Sequence, residues 1–161
     1  MLKLLGSMAK ACAILAGLLL TAITLVCVAS IVGRNTTGWT LVGDFELVAS
    51  AAGAAIALFL PLAQFKRGNI IVDFFTTRAP ARVNAALDRL GAGLLAAAMG
   101  LLAWRTGIGG LNAWNSGAGS MMLGFPEWIV YACMVPAIAL TALIAAVQAV
   151  FGFGDTGGEA A

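Results

Sequence analysis

The chain has 161 residues, of which 61% are hydrophobic and 10% charged, with a mean hydropathy of +1.00 and a formal net charge of +2. That composition lies outside the range of soluble globular domains and leaves almost no length for a separate soluble chemistry. There is no charge run of the kind a nucleic-acid surface needs, and the absence of histidine excludes His-ligated haem and the common zinc sites.

A hydrocarbon core about 30 Å thick takes roughly 20 apolar residues per helix. Four segments meet that length, at about 11–33, 41–65, 87–111 and 126–151. The predicted fold is all-α: one integral membrane domain over 1–161 with four transmembrane helices. An interfacial amphipathic segment is expected in the connection 66–86, and a short polar tail at 152–161.

Lys3 and Lys10 precede the first span, and Val28-Ala29-Ser30 is a passable signal-peptidase site. The apolar stretch nevertheless exceeds the 7–15 residues typical of a signal-peptide core, so it is expected to remain as a span. Arg34 closes it. Span two opens with Asp44 and Glu46, acids that a helix N-terminus favours. Ala49, Gly53 and Ala57 then recur every four residues, a small-residue face along which backbones can approach closely. Pro61 removes a backbone donor near the end of this span and predicts a bend.

The connection reads Lys66-Arg67-Gly68-Asn69-Ile70-Ile71-Val72-Asp73-Phe74-Phe75, and after it Pro80 opens a helix with Arg82 and Arg89 on one face. Asp73, Arg78, Arg82 and Arg89 are candidate anchors for chain lying in the inner interface, with arginines on lipid phosphates; the plainer reading is an ordinary basic loop. Span three carries Gly93 and Ala97 at the same small-residue spacing and Arg105 in its last two turns. Pro126 is expected in the first turn of span four, after the Gly124-Phe125 turn, and Pro136 predicts a second bend.

Seven of the nine basic residues, Lys3, Lys10, Lys66, Arg67, Arg78, Arg82 and Arg89, lie before span one or between spans two and three. The positive-inside rule therefore places both termini in the cytoplasm. Trp39, Trp104, Trp114 and Trp128 mark the opposite ends of the spans as an aromatic belt.

Mid-span positions are nearly all Ala, Gly, Leu, Ile and Val, whereas a chain that alone moves charged solutes carries ionisable groups there. Thr21, Thr24, Ser50 and Thr141 are expected to bond back to helix carbonyls, and Cys12, Cys27 and Cys133 to behave as small hydrophobes. Arg34, Asp44, Glu46 and Arg105 have two readings. They snorkel and pair at the interface, or they form a docking surface for a periplasmic protein or another membrane subunit.

An Arg ending span one (Val32-Gly33-Arg34), Trp39 and Glu46 around the start of span two, the stretch Arg67-Gly68-Asn69-Ile70-Ile71-Val72-Asp73, and Gly124-Phe125-Pro126-Glu127-Trp128 stand in a familiar order. Over essentially the whole chain this resembles the small membrane, DctQ-like, subunit of tripartite ATP-independent periplasmic (TRAP) transporters. Many members have His where this chain has Asn69. The resemblance implies a scaffold for a large membrane subunit that carries the sodium and substrate sites. It also implies a periplasmic substrate-binding protein as second partner, import of organic acids, the bacterial inner membrane as location, and neither cofactor nor enzymatic activity in this chain. In that setting Ala49, Gly53, Ala57, Gly93 and Ala97 would serve helix packing, and Arg34 and Glu46 would organise the periplasmic end.

A membrane oxidoreductase would need paired cysteines or haem-ligating histidines, and a stand-alone cation exporter a mid-span carboxylate; neither pattern is present. A scaffold or assembly subunit of an unrelated membrane complex is the alternative that the residues themselves leave open.

Overall fold

The structure is a computed structural model that describes residues 2–39, 42–66 and 81–151. The described residues form four helices: α1 (Leu2–Thr36), α2 (Asp44–Phe65), α3 (Ala81–Ser116) and α4 (Trp128–Phe151). Each has the length and apolar composition to cross a bilayer. A helix satisfies its own backbone hydrogen bonds, which hydrocarbon demands of any spanning segment. The protein is a multi-pass membrane protein.

The helices lie side by side in the order α1, α2, α4, α3, with α3 lying along α4 and α1 reaching α4 at its first turns in addition to α2. The result is a single layer of helices, not a closed four-helix bundle. In the most apolar stretch of each helix, 22% of residues are buried in α2 and 28% in α4, against 6% in each of α1 and α3.

The buried side chains of α2 and α4, which meet along a seam, are mostly small. Ala54, Ala55, Ala57, Pro61 and Gln64 are buried on α2; Ala137, Ile138, Thr141, Ile144, Ala145 and Gln148 are among those buried on α4. Midway along it, Ala57 packs with Ala137 and Ile138, and Met99 and Ala103 of α3 close over that cluster. Both helices run through their internal prolines, Pro61 and Pro136.

Three boundaries differ from the sequence expectation. The packed part of α1 begins at Leu5 and Ala9, which are buried against Leu140 and Ile144, and not at residue 11. Lys10 interrupts the apolar run yet is exposed, and its long stem lets the ammonium reach water. Helix α3 starts at Ala81 and continues to Ser116, so 81–86 belongs to the span helix and the expected end at 111 falls more than a turn short. Helix α4 starts at Trp128: Pro126 is held in a bridge with Gly119, and its carbonyl accepts the Ile129 N–H at 3.3 Å.

Asp73 and Arg78, the stretch Arg67–Asp73 with Asn69, and the tail 152–161 lie outside the described residues, as do Thr40, Leu41 and the side chain of Arg82.

Candidate functional site

Charged and hydrogen-bonding groups gather where α1 and α3 end and α2 and α4 begin, here called the tryptophan end. Ser30, 1% exposed, donates its hydroxyl to Asp44 Oδ2 at 2.9 Å. Arg34, one turn further along α1, sits 3.9 Å from the same oxygen with its side chain 61% exposed. Asp44 is thereby fixed from beneath by a buried hydroxyl and capped loosely by a cation that keeps most of its surface free. Gly33 lets the chain return over α1, since a Cβ there would lie 2.9 Å from the Trp39 carbonyl oxygen.

Glu46 does something else. Its carboxylate accepts the backbone N–H of Met122 at 3.1 and 3.2 Å and that of Leu123 at 3.3 Å, and Ser120 is a further side-chain partner. These amides belong to the α3–α4 loop, a small hairpin closed by Ser120 N–H to the Phe125 carbonyl at 2.9 Å and Glu127 N–H to the Ala118 carbonyl at 3.1 Å. Gly43 makes the approach possible. It has φ 88°, and a Cβ on it would come within 2.6 Å of Leu123 Cγ. Glu46 thus ties α2 to a loop 76 residues away, and of the two acids it is Asp44 that faces Arg34.

Below the hairpin, Trp114 and Trp128 pack edge to face with ring centroids 4.6 Å apart, and Gly110 lies so close to Tyr131 that a Cβ would meet its Cβ at 2.8 Å. An apolar groove of about 450 Å³ runs between α3 and α4 there, lined by residues such as Gly107, Leu111, Tyr131 and Val135. Its walls offer no charged group.

Arg105 departs from expectation. Because α3 runs to Ser116, the arginine stands three turns from the helix end and not in the last two. It is exposed, and among the described residues it has no ion-pair partner. Trp104 moves with it: 72% exposed, it lies ten residues from Trp114, about 15 Å deeper than the belt in which the sequence places it.

The small-residue positions divide. Ala57 is buried in the seam and Gly93 faces the Ala149 Cβ at 3.9 Å, whereas Ala49 and Ala97 are exposed and nothing lies within 4 Å of a Cβ built on Gly53. Sequence reasoning missed the partner face on α4, although Ala137, Thr141 and Ala145 repeat every four residues and signal it. It also missed that Gln64 and Gln148 meet. The Gln64 amide donates to Gln148 Oε1 at 2.7 Å and the Gln148 amide to the Gln64 carbonyl at 3.2 Å, both side chains being buried. The hydroxyls of Thr21, Thr24 and Thr141 bond back to the carbonyls four residues earlier, as predicted. Of the anchoring candidates, Arg89 lies in the third turn of α3 and Arg82 in its first.

No curated protein and no solved structure matches the chain. The family model described as tripartite ATP-independent periplasmic transporters, DctQ component, matches residues 23–153, from the middle of α1 to past the end of α4. That family is a transporter component and not an enzyme family. With its four spans, its tied tryptophan end and this match over most of its length, the chain belongs to the DctQ family, the small membrane component of TRAP transporters.

Proposed function

We propose that this chain is the fixed scaffold subunit of a sodium-coupled transporter that imports organic acids across the bacterial inner membrane, with both termini in the cytoplasm. The large membrane subunit carries the sodium and substrate sites and packs against the helix layer. The periplasmic substrate-binding protein docks at the tryptophan end, where Arg34 offers a cation held beside Asp44 and Glu46 keeps the α3–α4 hairpin in position.

The observation that carries this reading is the single layer itself. A row of four helices whose flanks α1 and α3 bury only 6% of the residues in their most apolar stretches encloses no pathway, and it leaves broad apolar faces for lipid and for a neighbour of the same length. Family membership supplies the kind of neighbour. Seven of nine basic residues on the side of the N-terminus support the orientation.

Uptake of radiolabelled organic acids by vesicles holding the large subunit, with binding protein and sodium supplied, tests the proposal. Uptake is expected only when this chain is present, and equal uptake without it would refute the scaffold role. Arg34→Glu should reduce uptake while the amount of assembled complex stays constant; normal uptake by that variant removes Arg34 from docking.

A further inference from the structure

The depth of Arg105 follows from the register of α3 on α4. Trp114 packs on Trp128, Gly110 on Tyr131 and Gly93 on Ala149, three antiparallel contacts in one register. The same register sets Arg105 level with Ala137, ten residues into the 24-residue α4. Helix α4 is about 36 Å long, close to the thickness of the hydrocarbon core, so that level is near mid-bilayer. The cluster of Ala57, Ala137 and Ile138, against which Ala103 packs, places the middle of α2 at the same height.

A guanidinium at that depth is costly, and such groups persist where they are paired. The acids among the described residues are Asp44 and Glu46, engaged at the tryptophan end, Glu127 beside Trp128, and Asp88, which is 17 residues and about 25 Å away along α3. None is within ion-pair distance. Escape to the nearer water is unfavourable too. Side chains on a helix tilt toward its N-terminus, so Arg105 leans toward the bilayer centre and away from the tryptophan end. Its exposed neighbours at helical spacing, Ala98, Leu101, Ile108 and Asn112, form an outward face with one further polar group.

We infer that this face of α3 is a contact surface for a transmembrane helix of the large subunit, and that the partner brings a carboxylate to Arg105 at mid-bilayer. Charge complementarity selects the occupant: lipid tails cannot neutralise the guanidinium, and a second copy of this chain would bring another arginine. The inference rests on the scaffold reading, to which it adds the face used and the chemistry of the contact.

The test is capture of the cognate large subunit by the tagged full chain, native, Arg105→Lys or Arg105→Leu, after co-expression and detergent extraction. Each chain is also purified alone, to establish that it remains helical and of one size. Capture is expected with the native chain, retained in part by Arg105→Lys, and lost with Arg105→Leu although that variant alone inserts and folds at least as well. Capture by Arg105→Leu at the native level overturns the ion pair, as does equal loss with Lys and Leu, which would assign the position to side-chain shape. Failure of the native chain to capture the large subunit overturns the scaffold reading itself and is distinguishable from both.

Discussion

The α2–α4 seam and the flanking helices α1 and α3 have similar apolar composition and opposite roles. In the seam, alanines at three- and four-residue spacing bring two backbones together, and a pair of glutamines exchanges hydrogen bonds inside the contact. On the flanks, large residues such as Leu18, Leu25, Leu94, Leu101 and Trp104 point outward, with 63 to 72% of each exposed. Hydrophobicity gives no preference between lipid and protein neighbours, because tails are as apolar as leucine. Close fit and polar pairing decide, and the chain concentrates both in the seam.

The largest effect is expected from breaking the seam. Ala145, 0% exposed, has no room for a larger side chain, and Ala145→Leu should lower stability by about 1–3 kcal/mol through overpacking. Folded yield and melting of the purified chain check this, and unchanged melting would argue against the seam as the main contact. Gly43→Ala comes next. A left-handed backbone costs an L-residue about 1–2 kcal/mol, and the new methyl also meets Leu123. The hairpin should separate from α2, seen as faster protease cleavage within 117–125; cleavage at the native rate would contradict the tie.

Gln148→Leu should cost about 1 kcal/mol by leaving the Gln64 amide without this partner in the seam. Adding Gln64→Leu should recover most of the loss, and a double variant as weak as the sum of the singles would mean that the amides act independently. The smallest effect on the chain is expected on a flank-facing surface. Nothing lies near Gly53, so Gly53→Leu should change the stability of the isolated chain by less than about 0.5 kcal/mol. If the outward face of α2 receives the large subunit, the same variant should lose co-purification. Retention would restrict the partner to other faces.

The four spans were legible because each exceeds the length that hydrocarbon requires, and the acids that open α2 because a helix N-terminus favours them. The order of the helices was not. Seam partners lie 84 residues apart at Gln64 and Gln148, and the hairpin tie 76 apart at Glu46 and Met122, separations over which local periodicity carries no information. The spacing of Ala49, Gly53 and Ala57 marks a face suited to close helix contact but does not say which helix meets it: within this chain only Ala57 turns inward. Arg105 was misplaced because hydropathy ended span three at residue 111, whereas the Trp114–Trp128 contact shows how far α3 continues beside α4.

The central claim is the single layer, and the separation of its two outer helices tests it most directly. Spin labels at Leu15→Cys on α1 and Leu102→Cys on α3, with Cys12, Cys27 and Cys133 replaced, report that distance in the reconstituted protein. A row of four helices in which α1 also meets α4 near its first turns puts two to three interhelical spacings between them, about 16–30 Å. A closed bundle would bring α1 beside α3 at one spacing, about 8–10 Å, and that result would contradict the account.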